Sequence, residues 1–287
     1  MEYRAILNRV YKTVVASDGA EITPTVDVYY REGMENAPLY VYFHGGGWAG
    51  GKKDIPAPRN PWLTPSFIGD GCVIASVEYR LVGTHGSVLD DCVHDCSDAI
   101  RYFMKHANEF CIDPNRIFVG GTSAGAHLAL LCALAGKRFG NAPELAGFNY
   151  RCLWILDFCG PTEFNSLMEH LEPARQQGAV LQFLEGLDTL KRHFDELSPY
   201  FYAQNAEVLP PVFAVHGMAD ILVPHSQPEQ LKSIYDRRGS EFVYLPVENG
   251  DHLFTQIEGL PVPSPAYAEI LLAARKFISK HVYKLLK

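Results

Sequence analysis

Residues 116–128 read Arg-Ile-Phe-Val-Gly-Gly-Thr-Ser-Ala-Gly-Ala-His-Leu, and this stretch limits the chain to few folds. Ile117–Val119 is short, apolar and bounded by glycine, the pattern of a buried strand, whereas Ala126–Leu134 has the composition of a buried helix. Between them, Gly121-Thr122-Ser123-Ala124-Gly125 fits G-x-S-x-G, a strained strand-to-helix elbow that lifts a serine hydroxyl clear of a sheet. The glycines explain the spacing, because two residues either side of Ser123 the strand and helix backbones pass too close for a β-carbon. The helix N-terminus then aims its amides at any charge that forms beside the serine. Glycine and serine also fill ordinary strand-to-helix turns, so a nucleophile at Ser123 requires partners elsewhere in the chain.

The 287 residues, 47% of them hydrophobic, suffice for one α/β domain with a large core, and the expected domain spans residues 1–287. Val10–Val15 and Thr25–Tyr30, around the turn Ser17-Asp18-Gly19-Ala20, read as an antiparallel pair at a sheet edge. Leu39–Phe43 and Cys72–Val77 read as buried strands, and Val88–Ala107 carries Leu89, Cys92, Cys96, Ala99, Ile100, Phe103 and Ala107 at helical spacing. Ile112-Asp113-Pro114-Asn115 reads as a turn feeding the central strand. Beyond the elbow helix come strands at Cys152–Leu156, Pro211–Gly217 and Glu241–Pro246, and helices at Gln227–Arg237 and Ser264–Leu286. Ser264 is placed to cap that last helix, with Pro265 in its first turn. A polar, partly helical stretch at about 161–200 breaks the alternation and reads as a small cap. Alternating strands and helices imply a mostly parallel sheet covered on both faces, with active groups on loops at the strands' carboxyl ends.

A serine hydroxyl is a poor nucleophile at neutral pH and needs a base, usually a histidine oriented by a carboxylate. On such a sheet the chain order is serine, acid, histidine. Of the eleven histidines, His225, His252 and His281 lie beyond the expected acid. His281 belongs to the last helix, and His225 is too near Asp220 in sequence for the two to occupy separate strand-end loops. His252, in the loop Glu248–Phe254, remains as the candidate base. Asp220 follows the strand ending at His216 and is suited to bond the far imidazole nitrogen. Asp251 is the rival acid, and His127, one helical turn beyond Ser123, is the rival base. His44-Gly45-Gly46-Gly47-Trp48 closes an aromatic strand; three glycines in a row are costly to order unless their amides must face a ligand, as in an oxyanion hole. Cys92-Val93-His94-Asp95-Cys96 has the residue types of a metal site, but both cysteines lie on the core stripe and His94 points half a turn away, so these residues read as core and not as a metal site.

His44–Trp48, Gly121–Gly125, Asp220 before Val223-Pro224, and His252 occur here in the order and contexts of hormone-sensitive-lipase-like α/β-hydrolases. The closer resemblance is to their bacterial esterase and deacetylase branch, which includes feruloyl and acetyl xylan esterases. Glu78-Tyr79-Arg80-Leu81, Asp113-Pro114-Asn115-Arg116-Ile117 and Ser198-Pro199 support it, and it covers roughly residues 38–285. The resemblance implies an α/β-hydrolase fold with Ser123 as nucleophile, His252 as base, Asp220 as acid, and the amides of Gly46, Gly47 and Ala124 as the oxyanion hole. Two departures, Thr122 where the lipase-like branch has aspartate and Ala126 where glycine is usual, blur the substrate while leaving the mechanism intact. The implied activity is that of a cofactor-free serine carboxylesterase on short-chain or aromatic acyl esters of small molecules, carbohydrate acetyl and feruloyl esters among them. Related formamidases make arylformamide hydrolysis the alternative. Receptor relatives of the fold, the other alternative, typically lose the histidine that stands here as His252.

The formal charge of −8 supplies no basic patch for a nucleic acid, and no apolar run reaches the length of a membrane span. The opening residues lack the apolar core of a secretion signal, and seven scattered cysteines suit reduced thiols, so the expected location is the cytoplasm, without disulfides. No long apolar lid is visible, which favours a short or aromatic acyl group over a lipid chain.

Overall fold

The computed structural model describes residues 3–53, 71–176 and 193–284. Strand β5 (Ala37–Phe43) lies inside an eight-stranded sheet and is buried at every residue, because both faces of the sheet are covered. Leu39, Val41 and Phe43 enter one apolar layer and Tyr40 and Tyr42 the other, following the two-residue period of a strand. In chain order the other strands are β1 (Arg4–Val10), β2 (Val14–Val15), β3 (Glu21–Ile22), β4 (Thr25–Tyr30), β6 (Val73–Val77), β7 (Ile112–Thr122), β8 (Cys152–Phe158), β9 (Val212–Gly217) and β10 (Phe242–Val247). The sheet runs β1-β4-β6-β5-β7-β8-β9-β10; β6 through β10 are parallel, and β4 and β1 complete an antiparallel edge. With helices over both faces, this is an α/β-hydrolase fold.

The first face is covered by α1 (Leu89–Lys105), α2 (Ala124–Leu134), α3 (Phe164–Gln176), α4 (Pro199–Asn205) and α5 (Ser226–Arg237), through residues such as Cys96, Leu128, Leu167, Ala203 and Leu231. The second is covered by α6 (Tyr267–Lys284), whose Ile270, Ala274, Phe277 and Ile278 pack on an aromatic layer. In that layer Phe118 stacks on Trp154 with ring centroids 4.2 Å apart, and Phe277 meets Trp154 edge-on at 6.1 Å. Burying a side chain such as Phe118 or Phe213 contributes about 2 kcal/mol.

Three local expectations need correction. The partner of β4 is Arg4–Val10, with Arg4 opposite Tyr30 and Val10 opposite Thr25, whereas Val14-Val15 turns away to pair with Glu21-Ile22. The break comes at Tyr11 and Lys12, which turn inward: Tyr11 donates its hydroxyl to the Glu78 carbonyl, and the Lys12 ammonium is buried against Asp95 and Asp98 at 2.6 and 2.9 Å. Asp113-Pro114-Asn115 lies within β7, although the Asn115 amide still bonds Asp113 Oδ1 at 2.9 Å as in a turn. The last helix begins at Tyr267, because the Ser264 backbone pairs with that of Glu248, and Glu269 accepts the Ala266 amide at 2.8 Å in its place.

In the 161–200 stretch, Phe164, Leu167 and Leu171 of α3 are buried in the first-face core, while Phe183, Leu184 and Leu187 lie outside the described residues, as do Leu285 and Leu286. All seven cysteines are free thiols, six of them buried, with Cys111 exposed. Among the described residues no helix is long and apolar enough to cross a membrane.

Candidate active site

Ser123 joins β7 to α2 with φ 56° and ψ −122°, a backbone region that side chains rarely occupy and that persists only where surroundings over-determine it. Its amide donates to the Phe158 carbonyl at the end of β8, 2.7 Å away, and its carbonyl accepts the His127 amide at 3.1 Å. A β-carbon on Gly125 would overlap the Phe43 carbonyl, and one on Gly121 would collide with Gly125. The elbow is therefore clamped against the carboxyl end of β5. The glycine run that follows β5 passes just as closely, since a β-carbon on Gly45 would lie 2.8 Å from the Thr122 carbonyl oxygen and 3.4 Å from Ser123 Cβ. Gly46, Gly47 and Trp48 then take φ values of 126°, 58° and 60°. Ala124, the first residue of α2, carries one of the amides that a helix N-terminus leaves without an internal partner.

The loops after β9 and β10 are stitched together. Met218 and Ala219 donate their amides to the Val247 and Gly250 carbonyls at 2.9 and 3.0 Å, and Gly217 lacks the β-carbon that would strike Asp251. This brings Asp220 from one loop against His252 from the other. His252 Nδ1 lies 2.6 Å from Asp220 Oδ2, and its Nε2 lies 2.8 Å from Ser123 Oγ. An ionised carboxylate only accepts, so Nδ1 carries the hydrogen and Nε2 presents a lone pair to the serine hydroxyl.

Asp220 is held from several directions. Its Oδ1 accepts the Leu222 and Val223 amides at 2.9 and 3.0 Å, and His216 Nε2 stands 3.3 Å from Oδ2. Burial opposes ionisation, but the hydrogen bonds from His216 and His252, the charge of His252 and the Val223 amide hold the Asp220 carboxyl well below the usual carboxylate range.

Three neighbours escape a reading by motif. His216, buried and four residues before Asp220, also meets the Val223 carbonyl at 2.8 Å, so its Nε2 is a donor. Cys159, fully buried at φ 52°, has its sulfur 4.0 Å from His252 Nε2, and burial pushes its thiol pKa far up, with the charges of Asp220 and Asp157 adding to the effect. Asp157 bonds the Gly160 amide at 2.8 Å through one oxygen, while the other has no hydrogen-bond partner among the described residues. Burial raises its pKa to about 6, against the charge of His216 and the Gly160 bond.

The rivals are engaged elsewhere. Asp251 accepts the Leu253 and Thr255 amides and the Thr255 hydroxyl at 2.6–2.8 Å, which shapes the His252 loop rather than meeting the imidazole. Both ring nitrogens of His127 bond to Trp48 and Leu197. Cys92 and Cys96 are buried in the core, Cys92 donating to the Arg80 carbonyl at 3.0 Å, and His94 accepts the Gly140 amide at 2.9 Å. Among the described residues no cluster of three or more His, Cys, Asp or Glu has the arrangement of a metal site.

Comparison with known proteins agrees with this architecture. Carboxylesterase NlhH of Mycobacterium tuberculosis is 31% identical over 147 residues, which are 51% of this chain and 43% of that protein, so the chain spans less than half of that relative. Thermogutta terrifontis esterase 2 phosphorylated by paraoxon superposes with a TM-score of 0.74 at 25% identity, covering 95% of this chain and 93% of that one. Its propionate-bound form superposes with a TM-score of 0.72 at 25% identity and the same coverage. The sequence profile of the BD-FAE family matches residues 26–235, from β4 through the elbow and Asp220 to α5. The chain is therefore a member of the BD-FAE family, built on the α/β-hydrolase fold.

Proposed function

We propose that the protein is a serine carboxylesterase for short-chain or aromatic acyl esters, with Ser123, His252 and Asp220 as its catalytic residues. The observation that carries this reading is the unbroken hydrogen-bonded series from Ser123 Oγ through His252 to Asp220, assembled from three separate strand ends. The hydroxyl attacks the ester carbonyl carbon while His252 Nε2 takes its proton, and Asp220 balances the imidazolium. Negative charge gathers on the former carbonyl oxygen, which the amides of Gly46, Gly47 and Ala124 receive. His252 then returns the proton to the departing alcohol, leaving an acyl group on Ser123. A water, deprotonated by the same imidazole, attacks that acyl carbon, and the acid leaves as the serine hydroxyl is restored. Every step is served by protein groups and water, with no cofactor.

A short acyl group is supported by the propionate-bound form of the Thermogutta esterase, and a nucleophilic mechanism by the paraoxon-phosphorylated form. The 161–200 stretch, as a cap, would set the leaving group. The test is a rate panel of p-nitrophenyl esters from acetyl to decanoyl, with feruloyl methyl ester, acetylated xylo-oligosaccharide and N-formylkynurenine alongside, on wild type and Ser123→Ala. The reading expects the highest kcat/KM on acetyl to butyryl or feruloyl esters, all lost in the variant. A maximum at decanoyl, or on N-formylkynurenine, would overturn the assigned substrate class.

A further inference from the structure

His127 is fully buried one turn into α2, yet its ring takes no part in the serine's hydrogen bonding. Nε2 lies 2.7 Å from the Leu197 carbonyl, and a carbonyl only accepts, so Nε2 carries the ring hydrogen. Nδ1 is left as a lone pair, 3.1 Å from the indole nitrogen of Trp48, which donates to it. Burial pulls the His127 pKa down to about 4 against the opposing Leu197 bond, which keeps the ring in the neutral form this pattern needs.

Trp48 ends the glycine run. The residue is 3% exposed, and its indole stands edge-on to the imidazole with centroids 5.3 Å apart and lies 5.5 Å from the ring of Phe164, which in turn stacks on Phe194. Its carbonyl accepts the Val82 amide at 2.9 Å. Trp48 sits at φ 60°, a conformation costly for a residue with a side chain that persists where its surroundings anchor it, whereas Gly46 and Gly47 take positive φ without that cost. Two such anchors hold Trp48, one through its carbonyl and one through its indole.

We propose that His127 is a positioning residue for the oxyanion loop: through the Trp48 indole it fixes the amides of Gly46 and Gly47, and through Leu197 it ties that loop to the segment just before α4. The inference rests on the reading of those amides as oxyanion donors. Their value depends on being aimed in advance at a charge that exists only in the transition state. A loop released from its anchor binds ester as before but stabilises the oxyanion less, so kcat falls while KM holds. A histidine that merely fills the core would, when replaced, lower stability and leave the turnover of the folded protein alone.

His127→Phe and Trp48→Phe each keep an aromatic ring and remove one partner of the indole–imidazole bond. The readouts are kcat and KM on p-nitrophenyl acetate, and the inhibition constant of a trifluoromethyl ketone that adds to the serine as an oxyanion, with near-ultraviolet circular dichroism reporting the fold. Each variant is expected to lose about tenfold or more in kcat with KM within about twofold, and to bind the ketone proportionately less tightly. The double variant should lose no more than either single one, because both remove the same bond. Wild-type kcat in a folded variant, losses that multiply in the double variant, or a change confined to KM would each overturn the proposal. If His127→Phe does not fold, Trp48→Phe decides on the same readouts. Ser123→Ala, run in parallel, separates the two levels: turnover that survives there sinks the assigned site, whereas its loss beside an unimpaired His127→Phe sinks only the role of His127.

Discussion

His216 Nε2 lies 3.3 Å from Asp220 Oδ2, so the carboxylate that meets His252 is shared with a second imidazole. The same nitrogen is 2.8 Å from the Val223 carbonyl, which spreads one N–H over both ends of the Asp220 turn. His216→Phe removes that donor and leaves a buried carbonyl without it. Stability should fall by about 1–3 kcal/mol and kcat/KM by about tenfold. Denaturant unfolding and steady-state kinetics check the two effects; a folded variant with full activity would mean that the Leu222 and Val223 amides alone orient Asp220.

Ser123→Ala should fold and lose turnover by about a millionfold, leaving what binding and the oxyanion donors supply. A fluorophosphonate probe should label wild type and spare the variant. Labelling that persists in Ser123→Ala would move the nucleophile to another residue.

Asp220→Asn should cost on the order of ten-thousandfold in kcat at neutral pH, because an amide permits the wrong tautomer and does not balance the imidazolium. Asp251→Asn, which disturbs only the bonds to Leu253 and Thr255, should cost far less. A larger loss in Asp251→Asn than in Asp220→Asn, with circular dichroism unchanged, would reverse the assignment of the acid.

The buried imidazole of His127 makes stability depend on pH in a calculable direction. Its pKa falls from 6.5 in the unfolded chain to about 4 in the fold, so the stability it contributes is complete above 6.5 and drains as pH drops towards 4. The drop amounts to about 3 kcal/mol. Asp157 works in the opposite sense, because its pKa rises from 3.8 to about 6 and its contribution is lost as pH rises through that window. The two are separated by difference: the stability of wild type minus that of His127→Phe should grow by about 3 kcal/mol between pH 4 and pH 7 in urea unfolding. A difference that stays flat would mean that His127 titrates normally in the fold.

Gly125→Ala should be disabling although it adds one methyl. The new β-carbon meets the Phe43 carbonyl, a backbone atom at the carboxyl end of the central strand β5 that has no rotamer to move into. Destabilisation of about 3 kcal/mol or failure to fold is expected, read from soluble yield and thermal unfolding. Tolerance of alanine there would mean that β5 and α2 are farther apart than the elbow geometry requires.

Much of the site is readable because its parts sit where local patterns change. The elbow around Ser123 carries its own glycines, and Asp220 and His252 each follow an apolar strand in the order the fold demands. His216, Cys159 and Asp157 leave no such trace, since each matters through a neighbour on another strand or loop, and each looks like ordinary strand or turn composition in one dimension. A spacing of four between His216 and Asp220 was the one available hint, and at a strand end it has no fixed geometric meaning. The edge strand was misplaced for a related reason: Tyr11 and Lys12 break the alternation to reach Glu78, Asp95 and Asp98, partners far along the chain. Ser264 had the chemistry of a helix cap but was claimed by the backbone of Glu248.

The aromatic layer on the second face has a consequence for biosynthesis. Among the described residues, the helix packed on Trp154, Phe213 and Phe277's other neighbours is α6, and it is translated after all ten strands. A nascent chain that has released β10 and the His252 loop from the ribosome therefore holds every residue of the proposed catalytic set while one side of its sheet still faces water with tryptophan, tyrosine and phenylalanine. Such an intermediate has a strong drive to stick to chaperones or to its own kind until α6 emerges and seals it.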